Sequence, residues 1–218
     1  MTNSPETVAK RRGRPRSFDR AAALDRAMKL FWKHGYEGTS IHELTTAMGI
    51  TPPSLYAAFG DKERLFLEAV NHYRSGPGNA SRAFAEARSS RDAIENMLVG
   101  SAAELTCPSH PPGCMVVLAA MNCSEASSHL HSTLADVRAE AESFFRSAIQ
   151  RGVDKREVPA DTDVATLAKF FMTVLQGMTI QARDGATREA LLDVAKTAMR
   201  AWPAPARRLR KPAAAQSR

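Results

Sequence analysis

Gly38-Thr-Ser-Ile-His-Glu-Leu-Thr-Thr-Ala-Met-Gly49-Ile-Thr-Pro-Pro-Ser-Leu-Tyr-Ala-Ala-Phe-Gly60-Asp-Lys62 reads as two short helices around a tight turn. Ser40 with Glu43 three residues on forms a capping box, which satisfies free N–H groups at the start of the first helix. Ile41, Leu44 and Met48 share one of its faces. Gly49 ends it, because glycine enters the left-handed C′ position without strain. Thr51 is a good N-cap for the second helix, and Pro52 takes the first helical position, where a missing N–H costs nothing. Leu55 and Phe59, four apart, form the inward stripe, leaving Thr51, Pro53, Ser54, Tyr56, Ala57 and Ala58 outward. That surface is narrow enough to enter a DNA major groove about 12 Å wide. A helical hairpin inside a core is the competing reading, but so short a helix with small outward residues buries too little to hold itself. The stretch is therefore expected to be a helix-turn-helix that reads DNA.

Gly38-Thr39-Ser40-Ile41, then Leu44, Met48-Gly49-Ile50, Ser54-Leu55-Tyr56, Phe59 and Asp61-Lys62-Glu63-Arg64-Leu65-Phe66, resemble the N-terminal domain of the TetR family. The resemblance runs residue by residue from Phe18 to Tyr73, and beyond that only helix number and order are similar. It implies a homodimeric repressor on a palindromic double-stranded operator, with a larger C-terminal domain that binds a small-molecule effector and thereby lowers operator affinity. By motif position, Pro53, Ser54, Tyr56 and Ala57 face bases or backbone, Lys62 a phosphate and His42 the groove edge. Ser40 and Thr51, at the two helix starts, complete the candidate DNA-contacting set. Ala57 and Ala58 stand where other members often carry larger polar side chains, so readout there reduces to apolar contact with thymine methyl groups.

The 218 residues are enough for one small and one medium domain whose core needs no staples. Three cysteines give no paired framework. The first ten residues lack an apolar signal core and no run reaches the length of a membrane span, so a soluble cytoplasmic protein with reduced thiols and no membrane partner is expected. The net charge of +7 is uneven. Residues 1–20 carry six basic and two acidic groups and residues 200–218 six basic and none acidic, leaving 18 basic against 21 acidic in the body. Basic ends on a mildly acidic body suggest localised contact with phosphates rather than a scaffold that coats nucleic acid.

Residues 1–16 form a flexible basic arm, too charged and too poor in apolar groups to fold alone. Its Arg12-Gly13-Arg14-Pro15-Arg16 matches the core of an AT-hook, whose arginines enter a narrow A·T minor groove. A solubilising tail is the alternative. The helix-turn-helix domain spans 17–74. Its first helix runs from the cap Asp19 to His34 with Ala22, Leu24, Ala27, Met28, Phe31 and Trp32 inward, and Tyr36 lies over the core. Asp61 caps a fourth helix through Leu65, Phe66, Ala69 and Tyr73, the joint to the rest of the chain. A regulatory and dimerisation domain then covers 75–202: a helix from Ala80 to Leu105 interrupted at Arg88 to Asp92, a loop from Cys107 to Cys114, and an apolar helix from Met115 to Cys123. Three more helices run from Ser127 or Ser128 to Gly152, from the cap Asp161 to near Gly185, and from Thr187 to Met199. Residues 203–218 are expected to be a disordered basic tail. No period-two run and no hairpin signal occurs, so the fold class is all-α with about nine helices: an N-terminal three-helix DNA-binding domain and a larger helical ligand-binding and dimerisation domain. Apolar residues on several faces of the last two helices assign them to a four-helix interface with a second copy.

Candidate chemistry is sparse. There is no P-loop, no Gly-x-Ser-x-Gly and no His-Glu-x-x-His, so an enzyme is not expected and no cofactor is implied. Cys107, His110 and Cys114 have soft-ligand character, but the prolines between them and the lack of a second paired knuckle argue against a metal. Cys114, at a helix start after Pro112-Gly113, has two readings: a thiolate sensor of electrophiles or oxidants, or a small apolar residue lining the core. Gly-Cys followed by an apolar run also resembles a branch of TetR-like regulators that includes thiol-based sensors. Phe84, Met97, Cys114, Met115, Leu118, Met121, Phe144, Phe171, Leu175 and Met178 form the candidate ligand pocket.

Overall fold

The computed structural model describes residues 18–78 and 87–203, and among them every regular element is helical. The arm residues Arg12, Arg14 and Arg16, the pocket candidate Phe84 and the tail lie outside the described residues. In chain order the helices are α1 (Arg20–His34), α2 (Ile41–Met48), α3 (Pro52–Phe59), α4 (Lys62–Ser75), α5 (Ser90–Leu105), α6 (Met115–Leu118), α7 (Ser128–Asp154), α8 (Val164–Arg183) and α9 (Arg188–Ala198). Short 3-10 turns at Glu125–Ser127 and Met199–Ala201 precede α7 and follow α9.

The local signals behave as their chemistry requires. Asp19 accepts from the N–H groups of Ala21 and Ala22, Thr51 from Ser54, Asp61 from Arg64 and Thr187 from Ala190. The Ser40/Glu43 capping box is complete, and Gly49 adopts φ 69° and ψ 35°. Three expectations need correction. In α1 the inward residue is Ala23 rather than the half-exposed Ala22. The cap of α8 is Asp163, not Asp161: a turn in which Thr162 bonds back to the Pro159 carbonyl delays the helix, and Asp163 then accepts from Thr166. The helix expected from Met115 to Cys123 stops at Leu118. The Ala119 carbonyl is taken by the Tyr36 N–H at 2.8 Å, and the chain turns toward Glu37 instead of winding on. At the polar interruption, Ser89 caps a new helix by accepting from Asp92.

Two cores result. The first joins α1–α4 around Phe31, Trp32, Leu44, Leu55, Leu65 and Phe66, and it is roofed by Met115, Val116, Ala119, Leu130 and Leu134 of α6, the segment after it and α7. The second packs α5, α7, α8 and α9 around Ile94, Leu98, Phe145, Ile149, Phe171 and Leu191. Cys114 touches both. Because α6 and the start of α7 complete the first core, the head cannot shift relative to the body without disturbing packing that stabilises both.

Candidate nucleic-acid interface and regulatory cavity

The head presents α3 as a ridge. Leu55 and Phe59 are buried, while Thr51, Pro53, Tyr56 and Ala57 are exposed and Ser54 is half-buried. Ala58, expected outward, packs half-buried against the core, and its carbonyl accepts from Arg20 at 3.4 Å. Tyr56 is 49% exposed. The Ser40 and Thr51 hydroxyls are engaged as caps, Ser40 with Glu43 and Thr51 with Ser54, and so fix the helix starts. His42 is exposed on α2. Lys62 is half-buried: its Nζ sits 4.3 Å from the Tyr36 ring centroid, and burial pulls its pKa down against the pull of Glu37 and Glu43. Arg20 is neutralised by Glu68, one nitrogen–oxygen distance being 2.6 Å, so it braces α1 to α4.

Among the long-range links that tie head to body in the described residues, three show no signal in the sequence. The Trp32 indole N–H donates to the Gly113 carbonyl at 3.0 Å, and its ring stacks on His110 at 4.4 Å and meets Tyr73 edge-on at 4.7 Å. Glu37 accepts from the Ser124 N–H at 2.9 Å, the Ser124 hydroxyl at 2.7 Å and the Ser127 hydroxyl. Those bonds hold its carboxyl down to about 2. His129 at the start of α7 lies 3.0 Å from Glu63 at the start of α4. Partners such as these, some 80 to 90 residues apart for Trp32 and Glu37, are ordinary surface or turn residues when met along the chain.

Below the joint lies a cavity of about 670 Å³ between α4, α5, α6, α7 and α8. It falls within the range of about 300–1,000 Å³ typical of small-molecule sites. Of the pocket candidates, Met97, Cys114, Phe144 and Leu175 are placed on its wall. Met115, Leu118, Phe171 and Met178 instead fill closed packing, and Met121 is 56% exposed beyond the end of α6. Met115 belongs to the first core and Phe171 and Met178 to the second, because helical periodicity marks an inward face without saying whether it meets a neighbour or a void. The polar part of the lining includes Tyr73, Arg74, Glu104, Arg138 and Glu140, which residue-type reasoning missed. Tyr73 is buried, shares a hydrogen bond with Cys114, and has its phenol pushed well above the ordinary range chiefly by burial. Cys114 caps α6 without a side-chain cap bond. Cys107 pairs with Ser109 at 3.1 Å and His110 with Glu104 at 2.8 Å, so these two point to local partners rather than to a shared ion.

A capped two-helix reading head on an all-helical body with an open cavity beside it defines a helix-turn-helix regulator. The chain belongs to the TetR family: residues 23–69 match the model of the bacterial regulatory proteins of the tetR family, and residues 92–199 that of the tetracyclin repressor-like C-terminal domain. It is 38% identical over 204 residues to the HTH-type transcriptional repressor ComR of Escherichia coli K12, covering 93% of this chain and 97% of ComR. It is 30% identical over 192 residues to the repressor BdcR of the same organism, covering 85% and 90%. The solved structure of a cysteine variant of the TetR-family regulator CifR, complexed with 26 bp operator DNA, is 46% identical, with TM-score 0.85 over 87% of this chain and 100% of that one. The protein is thus a DNA-binding transcriptional regulator of a repressor family and not an enzyme; dimers and ligand response are typical of the family. No helix of the described residues is long and apolar enough to cross a membrane.

Proposed function

We propose that the protein is a cytoplasmic homodimeric repressor that holds a palindromic operator and is released when a small molecule enters the cavity. The observation that carries this is the outward face of α3, where Pro53, Tyr56 and Ala57 stand exposed on a helix fixed at both ends by caps. In this reading Pro53, Ser54, Tyr56 and Ala57 meet bases or backbone, His42 the groove edge, Lys62 a phosphate, and Arg12, Arg14 and Arg16 the adjoining minor groove. Dimerisation runs through α8 and α9, which leave Phe170, Ile180 and Val194 exposed in a single chain. Two copies joined there would set their α3 helices about 34–36 Å apart, one turn of DNA. Effector leverage equals its differential affinity for the two head spacings, and α4 is the element able to transmit it, since it starts beside α3 and ends at Tyr73 on the cavity wall.

A second reading has a specific observation in its favour. Cys114 sits at the cavity edge with the Tyr73 hydroxyl on it and Arg138 nearby, so an alkylating or oxidising effector that enters the cavity would meet a thiol there. Footprinting on the promoter adjoining the protein's own coding sequence tests the operator. A protected region without dyad symmetry refutes the dimeric reading. Release by an alkylating agent in wild type and in Cys114→Ser separates the two modes, and equal release in both removes the thiol reading.

A further inference from the structure

The charges around the cavity do not cancel in pairs. Glu104 is engaged by His110 Nε2 at 2.8 Å and Glu140 by Arg74 at 2.6 Å. Arg138, on α7, has no carboxylate partner among the described residues and donates from Nη1 to the Val116 carbonyl at 3.0 Å. A guanidinium stays charged at any physiological pH and offers five donors in a planar fork, so one backbone carbonyl leaves most of its capacity unused. Burial works against its charge, lowering its pKa. A half-buried cation beside an apolar void is a poor arrangement alone and a good one once an anion arrives, because charge-assisted and bidentate bonds are the strong ones. The rest of the wall offers Met97, Phe145, Met172 and Leu175 for an apolar body.

We propose that the cavity takes an amphipathic organic anion, its carboxylate or equivalent acid group on Arg138 and its apolar part along α5 and α8. This rests on the ligand-responsive reading above and specifies the chemistry of that site. The placement also bears on release. Arg138 is bonded to α6 and stands near Cys114, which holds the Tyr73 hydroxyl at the end of α4. An anion that draws the guanidinium toward itself would act where the head's connecting helix is anchored, whereas a neutral ligand lying only against α5 and α8 would not.

The test titrates the full-length protein with decanoate and with its neutral counterpart decanamide, by calorimetry and by operator release followed as DNA anisotropy. Wild type should prefer decanoate by about tenfold or more, the scale of one charge-assisted bond. Arg138→Gln should erase the preference while leaving decanamide binding near wild type, and Arg138→Lys should keep part of it. Equal binding of the two compounds by wild type, or a preference that survives Arg138→Gln, overturns the anion assignment and leaves the ligand cavity standing. If Arg138→Gln slows iodoacetamide labelling of Cys114 yet keeps the decanoate preference, the guanidinium serves the thiol and the proposal fails. Binding of neither compound overturns the ligand-cavity reading itself, and this one with it.

Discussion

Trp32→Phe isolates the joint between head and body. Trp32 is 2% exposed and its indole N–H is the side-chain donor to the Gly113 carbonyl at 3.0 Å. Phenylalanine keeps an aromatic ring against His110 and Tyr73 but leaves that carbonyl buried without its partner, which costs about 1–3 kcal/mol. The smaller ring also leaves a void where the indole sat, adding about 1 kcal/mol. The sum is about 2–4 kcal/mol. For a chain of this size each kcal/mol moves Tm by about 2–4 °C, so Tm should fall by about 4–16 °C, measured at fixed protein concentration because a dimer's Tm depends on it. Gly113 cannot be rebuilt to compensate. Its φ is 83°, and an added Cβ would lie 2.7 Å from Leu118 Cδ1 and 3.0 Å from the Thr179 carbonyl. The Gly113, His110 and Tyr73 partners of Trp32 lie outside α3, so operator affinity of the folded variant at 25 °C should stay within about threefold of wild type, less than 1 kcal/mol. Its response to an effector should weaken. A destabilisation below about 1 kcal/mol would refute the reasoning, since the bond and ring would then not be carrying the joint.

Tyr56→Phe should weaken operator binding several-fold, about 1 kcal/mol, with stability unchanged, as fits a hydroxyl that faces DNA; a larger stability loss by thermal denaturation would show it faces the core. Lys62→Ala should weaken binding alike on specific and random DNA and flatten the log K versus log salt slope by about 1, and a loss confined to the operator would contradict the phosphate role. Deleting residues 1–16 should flatten that slope by about 3–4 through loss of about four ion contacts, whereas an unchanged slope in a salt titration makes the arm a spectator. Ile180→Glu with Val194→Glu should yield monomers in sedimentation at micromolar concentration and lose operator binding, and a persistent dimer would move the interface elsewhere. The Glu37 carboxyl is depressed to about 2, so its contribution to stability is fully present above its unfolded-state value of 4.5 and is lost as pH falls from there toward 2. Acid unfolding should therefore have a component in that window that Glu37→Gln removes, and identical pH profiles for the two proteins would refute it.

What the sequence determined by itself is what short-range physics writes down. Caps, the capping box, the Gly49 stop and the Leu55/Phe59 stripe are decided within four residues of one another, which is why the helix-turn-helix and the all-helical class were readable from the chain. Tertiary structure decided everything that depends on which distant backbone meets which side chain. The helix after Cys114 is short because the Tyr36 N–H reaches the Ala119 carbonyl, and α8 is capped by Asp163 because a local turn wins over an equally good cap two residues earlier. The pocket shows the limit most clearly. Met97 and Phe171 carry the same inward periodic signal, yet Met97 lines a void and Phe171 fills a core. Arg138 has no periodic signal at all, and its importance arises because Glu104 and Glu140 already have partners of their own. Cavity walls and unpaired charges are properties of how helices pack, and packing is set by contacts far apart in the chain.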